Sequence, residues 1–257
     1  MTDTRKVHSI RYGKKSGVLT AYIHPKDHEQ LNPFVLWDHF SAKAVMHSAG
    51  LDYHGHSGID AISYPVIGKL NHRDSAGSHV TLASGDVHIM TSGKGIIHKD
   101  TLTPKNGQIE AFSLWTVLPA GSKEMAPACS TNIDAHHLPL VEEKCTITKV
   151  IIGHYKGANS PVQYSIPITY LDVMIAPYSC WSFQPMRHKA VGLSIYNRVP
   201  VTSVAIKYKR NKWPHCNPHI CRLKFARAKL RPVYLLSWDN PCNSPFILLS
   251  ALSTPQS

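Results

Sequence analysis

His54-Gly-His-Ser-Gly-Ile-Asp60 and, further along the chain, Gly95-Ile-Ile-His-Lys-Asp100 are the two short stretches on which the reading of this sequence turns. In an extended strand, residues i and i+2 point to the same side. His54 and His56 therefore share a face, as do His98 and Asp100. If the two strands face each other across a small barrel, three imidazoles and a carboxylate converge. Three nitrogens and one oxygen suit a borderline divalent ion such as Fe(II), Mn(II), Ni(II), Cu(II) or Zn(II). The lack of cysteine in the set argues against a closed structural zinc site.

The surrounding sequence supports strands. Glycines 13, 17, 50, 58, 68, 77, 85, 93, 107, 121, 153 and 157 punctuate short runs of β-branched or alternating residues. Expected strands are 17–23, 59–67, 80–82, 87–90, 109–117, 146–152, 169–175 and 190–199. No helical period competes with them, and the fold class is all-β. The segment 118–143, with Pro119, Pro127 and Pro139, lacks β-branched density and reads as a connection between two strand clusters.

The 257 residues are enough for one large domain or two modest ones. Apolar residues make up 43% and no run approaches the ~18 needed to cross a bilayer as a helix, so membrane insertion is not expected. The polar opening from Met1 to Ser9 has no secretory h-region, from which a cytoplasmic location and six reduced cysteines are expected. The formal charge of +12 is unevenly spread: residues 201–257 hold 9 Lys+Arg against 1 Asp+Glu, and none of the 15 glycines. A basic run, Lys207–Arg231, with Tyr208, Trp213 and Phe225 interleaved, has the residue types that grip phosphates and stack bases. Its confinement to this segment of abrupt composition argues against a nucleic-acid role. His215-Cys216 and His219-x-Cys221 lack a second pair at zinc-finger spacing.

Taken together, HGHSGIDAISY at 54–64, LNHRDSAG at 70–77 and SGDVHIMTSGKGIIHKD at 84–100 resemble the pirin family of the cupin superfamily. That family carries an HPHRG stretch followed by a glutamate, an H-x-DS hairpin and a GDVQWMTAGRG-I-x-H-x-E stretch. Upstream, Leu31–Phe40 is similar to the family's DPF/DHF segment. Downstream, 149–199 is similar to the start of its second domain.

The resemblance implies a bicupin, two tandem antiparallel β-barrels with the metal in the first and the second empty. The expected division is a metal-binding cupin over 1–125, a linker over 126–144, a partial second cupin over 145–200 and an atypical basic tail over 201–257. The tail is expected to be an out-of-frame or unrelated replacement that leaves the second barrel incomplete. By position, His54, His56 and His98 match the family's histidine ligands to non-haem Fe(II). Asp100 stands where the family has a ligating glutamate, and its shorter arm raises the alternative of a three-histidine site. Asp60 occupies the carboxylate position of the cupin motif and is expected to orient a histidine from behind. His72 is expected to be structural, and His88 to face the barrel wall or solvent.

The function implied is a quercetin 2,3-dioxygenase-like reaction, in which a flavonol and dioxygen give ring opening with release of carbon monoxide. Asp100 would be fourth ligand or general base. The alternative is an iron-dependent partner of transcription factors or metabolic enzymes, without significant turnover. A monomer is expected.

Overall fold

The computed structural model describes residues 4–5, 9–27, 31–176, 180–183, 191–195, 203–208, 219–224, 232–236 and 247–253. The chain runs through β1 (Thr4–Arg5), β2 (Ser9–Tyr12), β3 (Lys14–Ser16), β4 (Leu19–Ile23), β5 (Phe34–Lys43) and β6 (Ala49–His56). It continues with β7 (Ile59–Ile67), β8 (Lys69–Asp74), β9 (His79–Leu82), β10 (Val87–Thr91), β11 (Ile96–Thr103), β12 (Gln108–Val117) and β13 (Cys129–Ile133). Then come β14 (Leu140–Glu143), β15 (Thr146–Ile152), β16 (His154–Tyr155), β17 (Ala158–Asn159), β18 (Thr169–Ile175), β19 (Cys180–Phe183) and β20 (Val191–Ile195). The last four are β21 (Ser203–Tyr208), β22 (His219–Lys224), β23 (Pro232–Leu236) and β24 (Ile247–Ser253). Short 3-10 turns at Pro25–Asp27 and Ala135–His137 interrupt this all-β order.

Two compact units result, Gly13–Leu138 on one side and Met1–Tyr12 with Pro139–Ser257 on the other. In the first, a seven-stranded sheet ordered β13-β10-β7-β12-β5-β4-β3 accompanies a four-stranded sheet ordered β6-β11-β8-β9. Its pairings are antiparallel throughout. Between strands of the two sheets lies a cluster of Leu70, Leu82, Leu102, Ile109 and Ala111, and a second one joins Ala61, Met90 and Ile96 with Trp115 packed against it. Strand β7 is central, flanked by β10 and β12, and its run Ile-Asp-Ala-Ile-Ser-Tyr-Pro-Val-Ile is buried over most of its length. Pro65 cannot donate to a ladder, and the register shifts opposite it between Glu110 and Ala111.

The second unit has a seven-stranded sheet ordered β14-β15-β18-β24-β20-β23-β2, a four-stranded sheet ordered β1-β21-β22-β19 and the small β16–β17 hairpin. Here β24 runs parallel to both of its neighbours, β18 and β20. Val150, Ile151, Ile152, Tyr170, Leu171 and Val173 are buried, and Trp181 stacks on Phe183 with ring centroids 5.7 Å apart.

The division between the two units after Leu138 falls inside the segment 126–144 expected as a linker, which also forms β13, the Ala135–His137 turn and β14. Segment 201–257, expected to abandon the β pattern, supplies β21 to β24. Missing glycines remove turn signals, whereas runs such as Pro232-Val-Tyr-Leu-Leu236 and Ile247-Leu-Leu-Ser-Ala-Leu-Ser253 keep the residues that strands favour. His215 and Cys216 lie outside the described residues, as do the side chains of His219 and Cys221.

Candidate metal centre

The site is built on one strand pair. Strand β6 aligns antiparallel with β11 so that His54 is opposite His98 and His56 opposite Ile96. A register shift between His98 and Asp100 follows, and on the other flank of β11 Asp100 is opposite His72 of β8. Two glycines make the β6 approach possible. At Gly50 a Cβ would lie 2.1 Å from the Asp100 carbonyl oxygen, so no side chain fits there. Gly58, with φ of 71°, takes the left-handed turn that sends the chain from β6 into β7.

The alternation predicted for these segments brings His54, His56 and His98 together. Their ring centroids are 4.4 Å (His54–His98), 4.9 Å (His54–His56) and 5.1 Å (His56–His98) apart. Each can offer a nitrogen, and these atoms lie within 4.8 Å of one another. His54 Nδ1–H donates to the Asp52 carbonyl at 2.7 Å, which leaves Nε2 with the lone pair. The edge of His56 meets Trp115 at 4.6 Å. Burial, followed by the neighbouring His98 and His54, pushes the His56 pKa down to about 4, keeping its ring neutral and able to ligate.

The buried Nε2 of His56 and both ring nitrogens of His98 make no hydrogen bond to protein. Leaving such an atom unpaired costs about 1–3 kcal/mol. Imidazoles with unpartnered buried nitrogens are a donor set that a borderline divalent ion would satisfy, so these residues fit a metal.

Asp100 is not drawn into that trio. It groups instead with His72 and His98. Its Oδ1 accepts from His72 Nδ1 at 2.7 Å, and its Oδ2 lies 3.5 Å from His98 Nδ1. Burial would raise the Asp100 pKa, but His72 and His98 more than reverse this and hold the carboxyl well below the usual range. The other nitrogen of His72 donates to Asp74 Oδ2 at 2.9 Å. Burial alone would lower the His72 pKa, yet the two carboxylates raise it on balance. With both ring nitrogens bonded to carboxylates, His72 has no free lone pair to give.

Asp60, expected to support a histidine, is buried on β7 and its Oδ1 accepts from the Thr91 hydroxyl at 2.6 Å. His88 is buried too, with its ring 4.0 Å from that of His72 and its Nδ1 2.7 Å from the Asn132 side-chain oxygen. Burial, then the charge on His72, brings the His88 pKa to about 4. The role of His72 and Asp74 was open to detection in the sequence, since His72-x-Asp74 repeats the i, i+2 spacing of His54-x-His56 and His98-x-Asp100.

A depression of about 500 Å³, open to solvent, lies beside His56 and is lined also by Gly55, Ser75, Ile96 and Ile97. A separate exposed group, Asp134, His136 and His137, occupies the 3-10 turn after β13.

Comparison with known proteins places these features in context. Residues 15–116 match the family model described as Pirin. Pirin-1 of Arabidopsis thaliana is 35% identical over 153 residues, 60% of this chain and 51% of that protein. A Pseudomonas aeruginosa protein with the provisional name of a quercetin 2,3-dioxygenase is 33% identical over 136 residues, 52% of this chain and 47% of that protein. The matched stretch therefore spans about half the length of these curated relatives. A solved protein of Geobacillus kaustophilus superposes with a TM-score of 0.69 at 22% identity, covering 94% of this chain and 100% of that one.

Proposed function

Because the chain belongs to the pirin family of the cupin superfamily, we propose that its Gly13–Leu138 unit is a non-haem Fe(II) dioxygenase centre acting on a flavonol such as quercetin. The reaction proposed opens the central ring and releases carbon monoxide. The observation that carries this reading is the convergence of His54, His56 and His98, with the buried Nε2 atoms of His56 and His98 lacking protein partners.

The three histidines would hold the ion, and other divalent transition metals suit the same donors. When bound, the ion supplies Lewis acidity toward the enol hydroxyl and a template for the two reactants. The chain's own part is to keep His56 neutral, to fix the His54 tautomer through the Asp52 carbonyl and to place an ionised Asp100 behind His98. Of the two roles open to Asp100, fourth ligand or acceptor of the flavonol proton, its bond to His72 favours the second. The open depression beside His56, with Ile96 and Ile97 in its wall, is of a size that takes an aromatic small molecule. The name given to the Pseudomonas aeruginosa relative supports the flavonol as substrate class.

A second reading draws on the apolar side chains of the same two strands. Leu51 and Tyr53 on β6 and Ile97 on β11 are 65%, 57% and 54% exposed. Such a surface favours an iron-dependent partner-binding role, in a cytoplasmic monomer. Anaerobic iron loading of the unaltered protein and of His98→Ala, followed by oxygen uptake with quercetin, separates the two readings. Near-stoichiometric iron that is lost in the variant, with quercetin-dependent uptake, supports the enzyme. Iron without uptake favours the partner role, and little iron in either protein ends both readings.

A further inference from the structure

The buried polar assembly around His72 goes beyond a list of ligands. Asp74 is fixed at one end, because Ser130 Oγ donates to its Oδ2 at 2.6 Å and the amides of Ala76 and Ser78 donate to its Oδ1 at 2.9 Å. His72, fully buried, spans the gap between Asp74 at 2.9 Å and Asp100 at 2.7 Å. Four successive groups on β13, β8 and β11 thus form a chain of short bonds ending at Asp100. Charge-assisted bonds of this kind are the strong class.

Moving Asp100 toward the trio would break its 2.7 Å bond to a fully buried ring, leaving His72 with one carboxylate partner instead of two. An aspartate, one methylene shorter than glutamate, has little slack with which to keep both contacts. Its second oxygen already faces the Nδ1 side of His98 at 3.5 Å. At that distance the two make no hydrogen bond, but a negative charge beside Nδ1 favours the proton there and leaves the lone pair on Nε2.

Resting on the metal-centre reading above, we infer that His72 is a positioning residue that withholds Asp100 from the metal, so that three imidazoles alone are the protein's ligands. Asp100 then acts through His98. The tether from Ser130 through Asp74 to His72 is what makes this chain's aspartate a support and not a ligand.

Co(II) visible spectroscopy on the full chain tests the inference, since the d–d bands report the donor set without requiring turnover. The unaltered protein is expected to bind one Co(II). Asp100→Asn should leave the band positions unchanged, because no ligand is lost. Asp100→Glu should move them by adding a carboxylate, and His72→Gln should move them in the same direction as the released Asp100 swings in. A shift in Asp100→Asn overturns the inference while leaving the metal centre standing. So does a His72→Gln spectrum identical to that of the unaltered protein. Absence of Co(II) binding by the unaltered protein overturns the metal centre itself and the inference with it. Should His72→Gln fail to fold, the two Asp100 variants decide between these outcomes.

Discussion

Residues 13–138 and the unit formed by 139–257 with 1–12 are each built on a seven-stranded and a four-stranded sheet, yet every metal-capable group among the described residues lies in the first. Where the first unit gathers imidazoles, the second fills space with aromatic rings: Tyr155, Trp181 and Phe183 stack with centroids 5.7–6.1 Å apart, and the Trp181 indole N–H donates to Thr148 at 3.2 Å. Strand pairing differs as well, antiparallel throughout in the first and parallel on both sides of β24 in the second. The lesson is that the sheet plan supplies a frame and the choice of side chain at alternating positions supplies the chemistry.

That contrast can be broken most directly at His98. Replacing it with alanine should take bound iron from near one per chain to near zero by elemental analysis. Trp181→Phe in the other unit should leave iron content as it was. Loss of iron in Trp181→Phe would mean that the chemistry is not confined to the first unit.

Next in size is the core of the first unit. Trp37, fully buried against Tyr22 and Phe112, should cost about 3–5 kcal/mol on truncation to alanine, read as a drop in urea midpoint. Gly50→Ala sharpens the comparison at the β6–β11 contact, where a methyl group would meet the Asp100 carbonyl. Metal affinity is expected to fall by about 10-fold as β6 is pushed off its register, with most of the folding stability retained.

Acid should register in the first unit with a defined sign. His56 and His88 have folded pKa values of about 4 against 6.5, so between those limits the unfolded chain binds more protons and stability declines as pH falls. Asp38, pushed up to about 6 by burial from 3.8, acts oppositely between those values. His72, raised, gives stability that is lost only as pH climbs through its folded value, and Asp100, lowered, gives stability lost only as pH drops below the ordinary carboxylate range. For the metal-free protein, the urea midpoint should therefore fall from pH 6.5 to 4. His88→Gln should flatten that decline, and an unchanged slope would contradict the assignment. The smallest effect is expected in the second unit. The Lys156–Glu143 pair is half-exposed, and Lys156→Ala should change stability by less than about 1 kcal/mol.

The histidine trio was legible because strand alternation is a rigid rule and the three residues fall on it. The strands that carry them were harder to see. Ala49–His56 includes two glycines and an aspartate, and Ile96–Thr103 includes a lysine and an aspartate, so neither run has the β-branched density that identified β7, β15 and β18. Strand β13 was hidden by prolines that flank it, and it acts through long-range partners that no local pattern announces: Asn132 to His88, and Ser130 to Asp74. The placement of Asp100 was beyond the sequence for the same reason. It depends on which neighbour wins a carboxylate, and that competition is settled by residues far apart in the chain.

Strand β6 is the outermost member of its four-stranded sheet, bonded within it only to β11. It contributes two of the three histidines, and β11 contributes the third. An ion held between them would be a rivet through the hem of the sheet, fastening a border that otherwise hangs by a single ladder. Metal loss should consequently be felt first as fraying of Ala49–His56, with amide exchange there quickening before the rest of the unit responds.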